Sequence, residues 1–311
     1  MRQVVILKKA FVIYNPSAGR EKLVRDLPFV LDLLHNEGYK VSSYGTEKES
    51  STALAAARAA AQGADLVVVA GGDGTIHEVV NGLAPLASRP VLGLIPAGTS
   101  NDFARALGIP ASVKQAARVL ISGKAIPVDA GKVRETYFIN IAAAGALTDI
   151  TYATPVRLKT LWGRGAYYLK GISKIPDIRS FGVRIEYDDL IFSGDVMLLM
   201  IANSCSVAGF ANLLPRASYQ DGLFDLLIVK KMRRWAMLRL VCMLFSGRHL
   251  CHPQVLYLQG RRINVDVKAK LNFNLDGEYG GTLPAEFINL HHHFRFMVPG
   301  EAGRGKERDP H

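Results

Sequence analysis

The chain has 311 residues, a length that fits two domains of ordinary size or one unusually large domain. Hydrophobic residues make up 49% and charged residues 21%, a globular balance that excludes a disordered, collagen-like or low-complexity chain. The formal net charge of +11 predicts an anionic partner: nucleic acid, a phosphate-rich ligand or an acidic membrane surface.

The compartment is indicated by cysteine usage and by apolar run length. Three cysteines cannot form a disulfide framework, and they fit a reducing cytosol. No uninterrupted apolar stretch reaches about 18 residues, so we expect no transmembrane helix. Lys8 and Lys9 interrupt the N-terminal apolar stretch, which favours a first strand over a signal peptide.

Strand and helix patterns alternate along the chain up to Asp129. Apolar residues at helical spacing mark the helices, and ADLVVVAGG is the continuous apolar run typical of a parallel strand buried on both faces. The segments are, in order, AFVIYN, LVRDLPFVLDLLHNEG, YKVSSYGT, STALAAARAAAQG, ADLVVVAGG, TIHEVVNGLA, VLGLIPAG and SNDFARALGI. This alternation predicts right-handed βαβ crossovers and a parallel sheet.

After Asp129 strand patterns dominate, separated by hairpin-like turns, and WAMLRLVCMLFSG is the one predicted helix. The strand candidates are VDAGKV, TYFINIAAAG, FGVRIEY, LIFSGDVMLLMIANS, LFDLLIVKK, VLYLQGRRINVDVKA and LNFNLDGE. They predict a β-sandwich-like second domain over residues 130–284. The last apolar stretch, residues 285–299, fits either domain, and residues 300–311 are predicted to be a flexible tail.

The sharpest local signal is VVVAGGDGTIHEVVNG, in which a buried strand runs through Gly71, Gly72 and Gly74 directly into a helix. Glycines let the backbone approach a ligand closely, and the free N–H groups of a helix start suit phosphate. A carboxylate at Asp73 makes sense in such a loop if Mg²⁺ bridges it to the phosphates. The alternative is a tight turn in which Asp73 caps the helix.

A second loop of the same construction follows the next strand, with the sequence PAGTSND. Thr99 or Ser100 is predicted to cap the following helix. A functional interpretation adds a phosphate or ribose contact from Thr99 and a carboxylate from Asp102. Both loops follow strands of the parallel sheet, at the ends where open α/β sheets bind ligands.

Two further turns are weaker signals on their own. The first, Asn15 to Arg20, follows the first strand and completes a set of three loops at strand ends. The second is Asp276-Gly277-Glu278. It is usually a hairpin turn, but its two acidic groups could also serve as a general base or as metal ligands.

These motifs, in this order and spacing, resemble the diacylglycerol kinase catalytic family of the soluble Gram-positive type over residues 9–299. The motifs that carry the resemblance are NPSAG, GGDGT, PAGTSNDFARALGIP, PRASYQDGLFDLLIV and NLDGEYGG. GGDGT alone also occurs in NAD kinases and phosphofructokinases, but its combination with LDGE is more specific. The resemblance implies a three-layer α/β domain over residues 1–129 that binds ATP, a lipid-substrate domain over residues 130–284, and a return of residues 285–299 to the first domain.

The activity implied by the resemblance is transfer of the γ-phosphate of ATP to the primary hydroxyl of diacylglycerol, which gives phosphatidic acid. The implied ATP contacts are Asn15, Pro16, Ser17, Ala18, Gly19, Thr46, Gly72, Asp73, Gly74, Thr75, Ile76, His77, Glu78 and Thr99. Glu278 matches the position of the proton acceptor, Asp276 is the competing candidate, and Asp73 completes the catalytic set.

A structural Mg²⁺ site is also implied at PRASYQDGLFD, with the Asp221 side chain and the carbonyls of Ser218 and Leu223 as ligands. Gln220 stands where close relatives often have a second aspartate, which puts the strength of this site in question. Asp73, Asp102 and Asp129 are expected to connect this metal through water to a catalytic Mg²⁺.

Positive charge is concentrated in two segments. Residues 151–180 carry six Lys or Arg beside Trp162, Tyr167 and Tyr168, and residues 230–248 carry six more with no acidic residue. Basic residues beside interfacial aromatics fit docking on an anionic bilayer, with Arg20, Arg25 and Lys170 among the contacts, although a solvated basic face is the alternative. A cytoplasmic enzyme bound peripherally to the membrane, with no nucleic-acid partner, is therefore expected.

Other assignments remain open at this stage. The family suggests a homodimer. A kinase of another lipid alcohol such as a sphingoid base, an NAD kinase, or a non-catalytic ATP- and membrane-binding protein are the alternatives. The run His291-His292-His293 lies in a strand pattern and is predicted to be a surface coincidence.

Overall fold

The computed structural model describes residues 8–18, 22–46, 49–145, 179–205 and 213–300. Residues 151–178 of the predicted basic aromatic segment, Gly19, Arg20, Lys170 and the predicted tail from residue 301 lie outside these ranges. The chain divides into two compact units. The first contains residues up to Val128 together with those from His292, and the second contains Asp129–His291.

The first unit is a parallel sheet in the order β4-β3-β1-β2 with helices between its strands. Its elements are β1 (Lys8–Tyr14), α1 (Lys22–Asn36), β2 (Tyr39–Gly45), α2 (Glu49–Ala61), β3 (Leu66–Gly71), α3 (Asp73–Leu83), β4 (Val91–Pro96), α4 (Asp102–Ala106) and α5 (Val113–Ser122). Helix α1 packs against α5, and α2 packs against α3. The unit therefore consists of a parallel sheet with two pairs of helices. This confirms the predicted α/β architecture.

The core of this unit follows from its apolar patterns. All six residues of β3 are buried, as expected of a central strand covered on both faces. Helix α1 buries Leu23, Leu27, Val30 and Leu34, which its helical spacing places on one face.

The second unit is mainly antiparallel. Its elements are β5 (Lys124–Val133, beginning in the first unit), β6 (Thr136–Phe138), β7 (Ile141–Gly145), β8 (Phe181–Tyr187), β9 (Leu190–Ala202), β10 (Phe224–Lys230), α6 (Arg234–Phe245), a 3-10 turn (His249–Cys251), β11 (Val255–Gly260), β12 (Arg262–Val267), β13 (Leu271–Leu275), β14 (Glu278–Leu283) and β15 (Ala285–Val298). The strand order is β14-β13-β7-β9-β8-β12-β15, with β10 pairing to β9 and β11. The predicted β-sandwich-like second domain is confirmed as a fold class.

Alternation along the central strands builds two apolar clusters. Strand β9 places Leu199 and Ile201 in one cluster and Met200 in the other, because successive side chains of a strand point to opposite faces. Helix α6 packs Met237 and Leu240 into the second of these clusters.

Strand β15 contributes to both units. Its residues Ala285–Ile288 pair with β12 in the second unit, and Phe296 pairs in parallel with Leu92 of β4 in the first. Phe294 and Phe296 are buried there, and the ring of Phe296 meets that of Phe103 edge to face at 5.1 Å between centroids.

Several element boundaries differ from prediction. The segment TYFINIAAAG is broken into β6 and β7 by a bend at Ile139 and Asn140, and VLYLQGRRINVDVKA forms two strands separated at Arg261. Helix α3 begins at Asp73, and helix α5 was not predicted. No helix within the described ranges is long and apolar enough to cross a membrane.

Candidate active site

The four connections after β1, β2, β3 and β4 lie at one edge of the parallel sheet. Asn15 N–H donates to the Ala70 carbonyl at 3.0 Å, and Ala97 N–H donates to that of Gly71 at 2.8 Å. Strands β1 and β3 are neighbours, yet β1 leads through α1 to β2 on one side and β3 leads through α3 to β4 on the other. This is the topological switch point at which open α/β sheets bind ligands.

Two glycines hold the loops after β3 and β4 in direct contact. A side chain at Gly98 would begin 2.5 Å from the Cα atom of Gly72, and one at Gly72 would begin 3.1 Å from the Cα atom of Gly98. Asn101 fixes the second loop, because its side chain accepts from Gly98 N–H at 2.8 Å and donates to the Gly98 carbonyl at 2.9 Å. Backbone groups of both loops are therefore available side by side, without a side chain between them.

Asp73 joins the first turn of α3 to the start of α4. Its carboxylate accepts hydrogen bonds from the N–H groups of Asp102 at 3.3 Å and Phe103 at 3.4 Å. The predicted cap of this second helix at Thr99 or Ser100 is wrong. Asn101, in the left-handed conformation with φ of 49°, is the N-cap residue, and Asp73 takes the N–H bonds that a cap would take.

The loop after β1 forms a tight turn. The Asn15 side chain accepts from Ser17 N–H at 2.9 Å, and Ala18 N–H donates to the Asn15 carbonyl at 3.0 Å. Thr46, at the end of β2, donates its N–H to the Tyr14 carbonyl at 2.9 Å, so it lies beside this turn. Pro16 and Ser17 are exposed.

The remaining predicted ATP contacts differ in accessibility. Ile76 is buried in the core, and Thr75 is 7% exposed with its side chain packed back on Gly71. Gly74, His77 and Glu78 are half-buried, and Thr99 is exposed. The Asn81 amide donates to the His77 carbonyl at 2.9 Å.

In the second unit, Asp276 and Gly277 form the two-residue turn between β13 and β14, with φ of 51° and 98°. The Asp276 carboxylate accepts three backbone N–H bonds, from Ile139 at 3.0 Å, Asn140 at 2.9 Å and Ile141 at 2.9 Å. These bonds satisfy the bend between β6 and β7. Glu278, the first residue of β14, is exposed.

Buried amides connect this bend to Asp129. The Asn203 side chain donates to the carbonyls of Asp129 at 2.9 Å and Ile139 at 3.1 Å, and it accepts from the Asn289 amide at 3.2 Å. Asn140 contacts the Ser204 hydroxyl. Buried polar groups of this kind are hydrogen-bonded in native proteins, and the network fixes the backbone on both sides of β6.

The predicted structural metal loop forms a turn over Asp129. Gly222 N–H donates to the Asp129 carboxylate at 2.7 Å, and Leu223 N–H donates to that of Asp221 at 3.0 Å. His291 is exposed, as its predicted surface position requires, but it is not isolated from this loop. One of its ring nitrogens lies 3.1 Å from the Gln220 carbonyl oxygen and 4.0 Å from an oxygen of Asp129.

Asp225 is a fully buried carboxylate near this loop. One oxygen accepts from the Tyr257 hydroxyl and from the Gln259 amide, while the other is buried without a hydrogen-bond partner among the described residues. Burial raises the pKa of Asp225 and the charge of Asp221 adds to the rise, whereas the two hydrogen bonds oppose it. Burial and the Asp225 carboxylate likewise raise the pKa of Tyr257.

Sequence reasoning missed Asn101, Asn203 and Asn289. Asn101 had a usable signal, since asparagine tolerates the left-handed conformation at a helix start. The other two carry no local signal, because their partners are 64 to 86 residues away along the chain.

Two family models match the chain in succession. The diacylglycerol kinase catalytic domain matches residues 9–133, and the YegS C-terminal NAD kinase beta sandwich-like domain matches residues 145–300. The chain belongs to the diacylglycerol kinase family and is a kinase.

Similarity to individual proteins extends over nearly the whole chain. A diacylglycerol kinase of Bacillus subtilis (strain 168) is 47% identical over 296 residues, 95% of this chain and 98% of its own length. One from Staphylococcus aureus (strain MRSA252) is 44% identical over 294 residues, 94% of this chain and 93% of its own length. A crystal structure of a protein from Bacillus anthracis str. Sterne, assigned as a diacylglycerol kinase, superposes with a TM-score of 0.84 at 26% identity, covering 95% and 96% of the two chains.

Proposed function

We propose that this kinase transfers the γ-phosphoryl group of ATP to the primary hydroxyl of diacylglycerol in an Mg²⁺-dependent reaction that yields phosphatidic acid and ADP. In this reaction the bond from the γ-phosphorus to its bridging oxygen breaks, a bond to the lipid oxygen forms, and the hydroxyl loses its proton. The names of the relatives in Bacillus subtilis and Staphylococcus aureus support this acceptor. The transfer needs positioning and charge stabilisation more than covalent chemistry.

The observation that carries the proposal is the contact between the glycine loops at the switch point of the parallel sheet. The N–H groups at the start of α3 suit phosphate, and the bare backbone of Gly72 and Gly98 leaves room for it. We assign the ATP contacts to Asn15–Gly19, Thr46, Gly72–Glu78 and Thr99. Because the Ile76 side chain is buried and anchors α3 in the core, its assigned contact with ATP is through the backbone.

Magnesium fits the oxygen donors of both units. Asp73 accepts backbone hydrogen bonds of 3.3 and 3.4 Å, and its carboxylate is an oxygen ligand of the kind that Mg²⁺ prefers. In the second unit the Asp221 carboxylate and the carbonyls of Ser218 and Leu223 are hard oxygen ligands. The Asp225 oxygen that has no hydrogen-bond partner among the described residues marks a place where added positive charge would be stabilising. Mg²⁺ held by these residues would supply positive charge against the phosphates.

We assign Glu278 as the general base and Asp276 as a positioning residue. Three N–H donors occupy both oxygens of Asp276, so this carboxylate is committed to holding the bend at Ile139–Ile141. Glu278 is exposed two residues later and is free to accept the proton of the lipid hydroxyl.

Because its proposed acceptor is a lipid, the enzyme must act at the membrane surface. Arg25 has a side chain 75% exposed, and its guanidinium lies 3.6 Å from an oxygen of Asp26. We propose that the enzyme acts peripherally from the cytoplasm, with Arg20, Arg25 and Lys170 contacting anionic lipid, and that it forms a homodimer.

The test is transfer of label from [γ-³²P]ATP by purified protein, with Mg²⁺ or with excess chelator. The acceptors are diacylglycerol in micelles with an anionic lipid, monoacylglycerol, a sphingoid base, ceramide and NAD⁺. We expect Mg²⁺-dependent label in phosphatidic acid. Label in another lipid or in NAD⁺ would contradict the assigned acceptor, and ATP binding without any transfer would contradict the assigned reaction.

A further inference from the structure

Helix α6 of the second unit has one face in the core and one face in solvent. Met237 and Leu240 pack into an apolar cluster, whereas Trp235 is 82% exposed and Leu238 is 37% exposed. Because transfer of apolar area out of water is favourable, a tryptophan held almost wholly in solvent loses stabilisation that a partner surface could restore.

The exposed residues of α6 form an ordered stripe. Each residue advances about 100° around a helix, so the exposed positions follow one another around the axis. Their order is Arg234, Leu238, Cys242, Trp235 and Arg239, which we call the Trp235 face. The apolar side chains occupy the middle and an arginine lies at each border.

The charged residues of the segment that contains this face are all basic. Residues 230–248 contain six Lys or Arg and no acidic residue. Arg233, Arg239 and Arg248 are exposed. Lys231 lies 3.3 Å from Asp195.

We propose that the Trp235 face docks on an anionic bilayer, with the Trp235 ring in the headgroup region and the bordering arginines on lipid phosphates. An apolar stripe flanked by basic side chains is the arrangement of helices that lie in a membrane interface, and tryptophan prefers that depth. A second copy of this chain is a poorer occupant, because a two-fold contact would bring two copies of a basic helix together. This inference rests on the proposed lipid acceptor, because the bilayer on which the Trp235 face docks is the membrane that contains that acceptor.

Vesicle binding tests the proposal without requiring activity. Sedimentation with vesicles of equal parts phosphatidylglycerol and phosphatidylcholine should show about tenfold weaker binding for Trp235→Ala. Arg239→Gln should weaken binding about fivefold at low salt. The matched controls Leu54→Ala and Arg118→Gln, at exposed positions of α2 and α5, should bind as the unmodified protein does.

Tryptophan fluorescence reports the contact directly. The chain has two tryptophans, so Trp162→Phe leaves Trp235 as the single emitter. Its emission should shift to shorter wavelength and resist acrylamide quenching with anionic vesicles, but not with pure phosphatidylcholine. Unchanged emission in vesicle-bound protein, or undiminished binding by Trp235→Ala, would overturn the proposal.

Two further measurements separate the alternatives. If Trp235→Ala converted a dimer to a monomer in sedimentation velocity with vesicle binding unchanged, the face would be an interface between copies and the proposal would fail. Kinase activity on short-chain diacylglycerol in neutral detergent micelles should be equal in Trp235→Ala and the unmodified protein. Absence of transfer by both would refute the proposed function, while the binding result would still decide this inference.

Discussion

The two units use an aspartate in the same way but with different strength. Asp73 in the first unit accepts two backbone N–H bonds at 3.3 and 3.4 Å, from the start of a neighbouring helix. Asp276 in the second unit accepts three, at 2.9 to 3.0 Å, from the bend between two strands. The shorter bonds commit Asp276 to the fold, whereas the longer bonds to Asp73 hold its loop less strongly.

An acidic residue in a glycine-containing turn therefore cannot be assigned a catalytic role from the sequence of the turn alone. Both turns are glycine-rich, and both carboxylates sit at a chain reversal. What separates them is the length of the N–H bonds that each accepts from residues 29 and more than 130 positions away. Substitutions at each turn can break or sharpen this distinction.

The largest effect is expected at Glu278, the residue that the Asp276 turn presents to solvent. Glu278→Gln should lower kcat by about a thousandfold, the usual contribution of a general base, without changing the thermal transition. Glu135→Gln, at a glutamate with a side chain 94% exposed, is the matched control and should keep full activity. Equal activity in both variants would remove Glu278 from the mechanism.

Asp73→Asn should mainly affect chemistry. We expect kcat to fall about a hundredfold, because an amide does not supply the charge that Mg²⁺ requires. The free energy of unfolding should change by no more than about 1 kcal/mol, since the hydrogen bonds from Asp102 and Phe103 are long. Kinetics over a range of Mg²⁺ concentrations, paired with urea denaturation, measures both quantities. If Asp73→Asn lost stability but kept its activity, Asp73 would be a structural residue and the distinction from Asp276 would be wrong.

Asp276→Asn should mainly affect stability. The amide NH₂ of the new side chain would face a backbone N–H, so two donors would meet and a hydrogen bond would be lost. We therefore expect the free energy of unfolding, measured by urea denaturation, to fall by about 2 kcal/mol. Asp188→Asn is the control. Asp188 also has a positive φ, 48°, in a two-residue turn and accepts from Arg261 and Arg262 N–H at 3.2 Å, but it is exposed. It should lose about 1 kcal/mol or less, and equal losses would contradict the commitment of Asp276 to the fold.

The smallest effect concerns the loops rather than the carboxylates. Gly98→Ala adds a methyl group that would meet Gly72, so the loops must separate and kcat/KM for ATP should fall about tenfold. Gly182→Ala is the control, because its added methyl meets only the Asp195 carboxylate at 3.6 Å. A normal KM for ATP in Gly98→Ala would show that ATP binding does not depend on the contact between the two loops.

Periodic patterns predicted the architecture well. The parallel sheet, the β-rich second unit and strand β15 at Ala285–Val298 all follow from apolar runs and their spacing. The Asp-Gly hairpin turn at Asp276 also formed as its sequence indicates.

What the sequence could not predict depends on contacts between distant residues. The bend at Ile139 and Asn140 breaks an uninterrupted strand pattern because Asp276, more than 130 residues later, satisfies its N–H groups. The cap of α4 was misassigned for the same reason, since Asp73 replaces a local side chain. The position of His291 likewise depends on distant residues, because its ring contacts the Gln220 carbonyl and lies near Asp129.

The shared strand β15 sets an order for synthesis. A ribosome releases the chain from its N-terminus, so strands β1 to β4 emerge long before residues from His292 onward. Until then the edge of β4 has no Phe296 beside Leu92, and Phe103 lacks the ring that covers it. The nascent first unit therefore has an open strand edge and an incomplete core while the whole second unit is translated. During that interval the open edge of β4 is the place where the nascent chain is most exposed to pairing with a foreign strand.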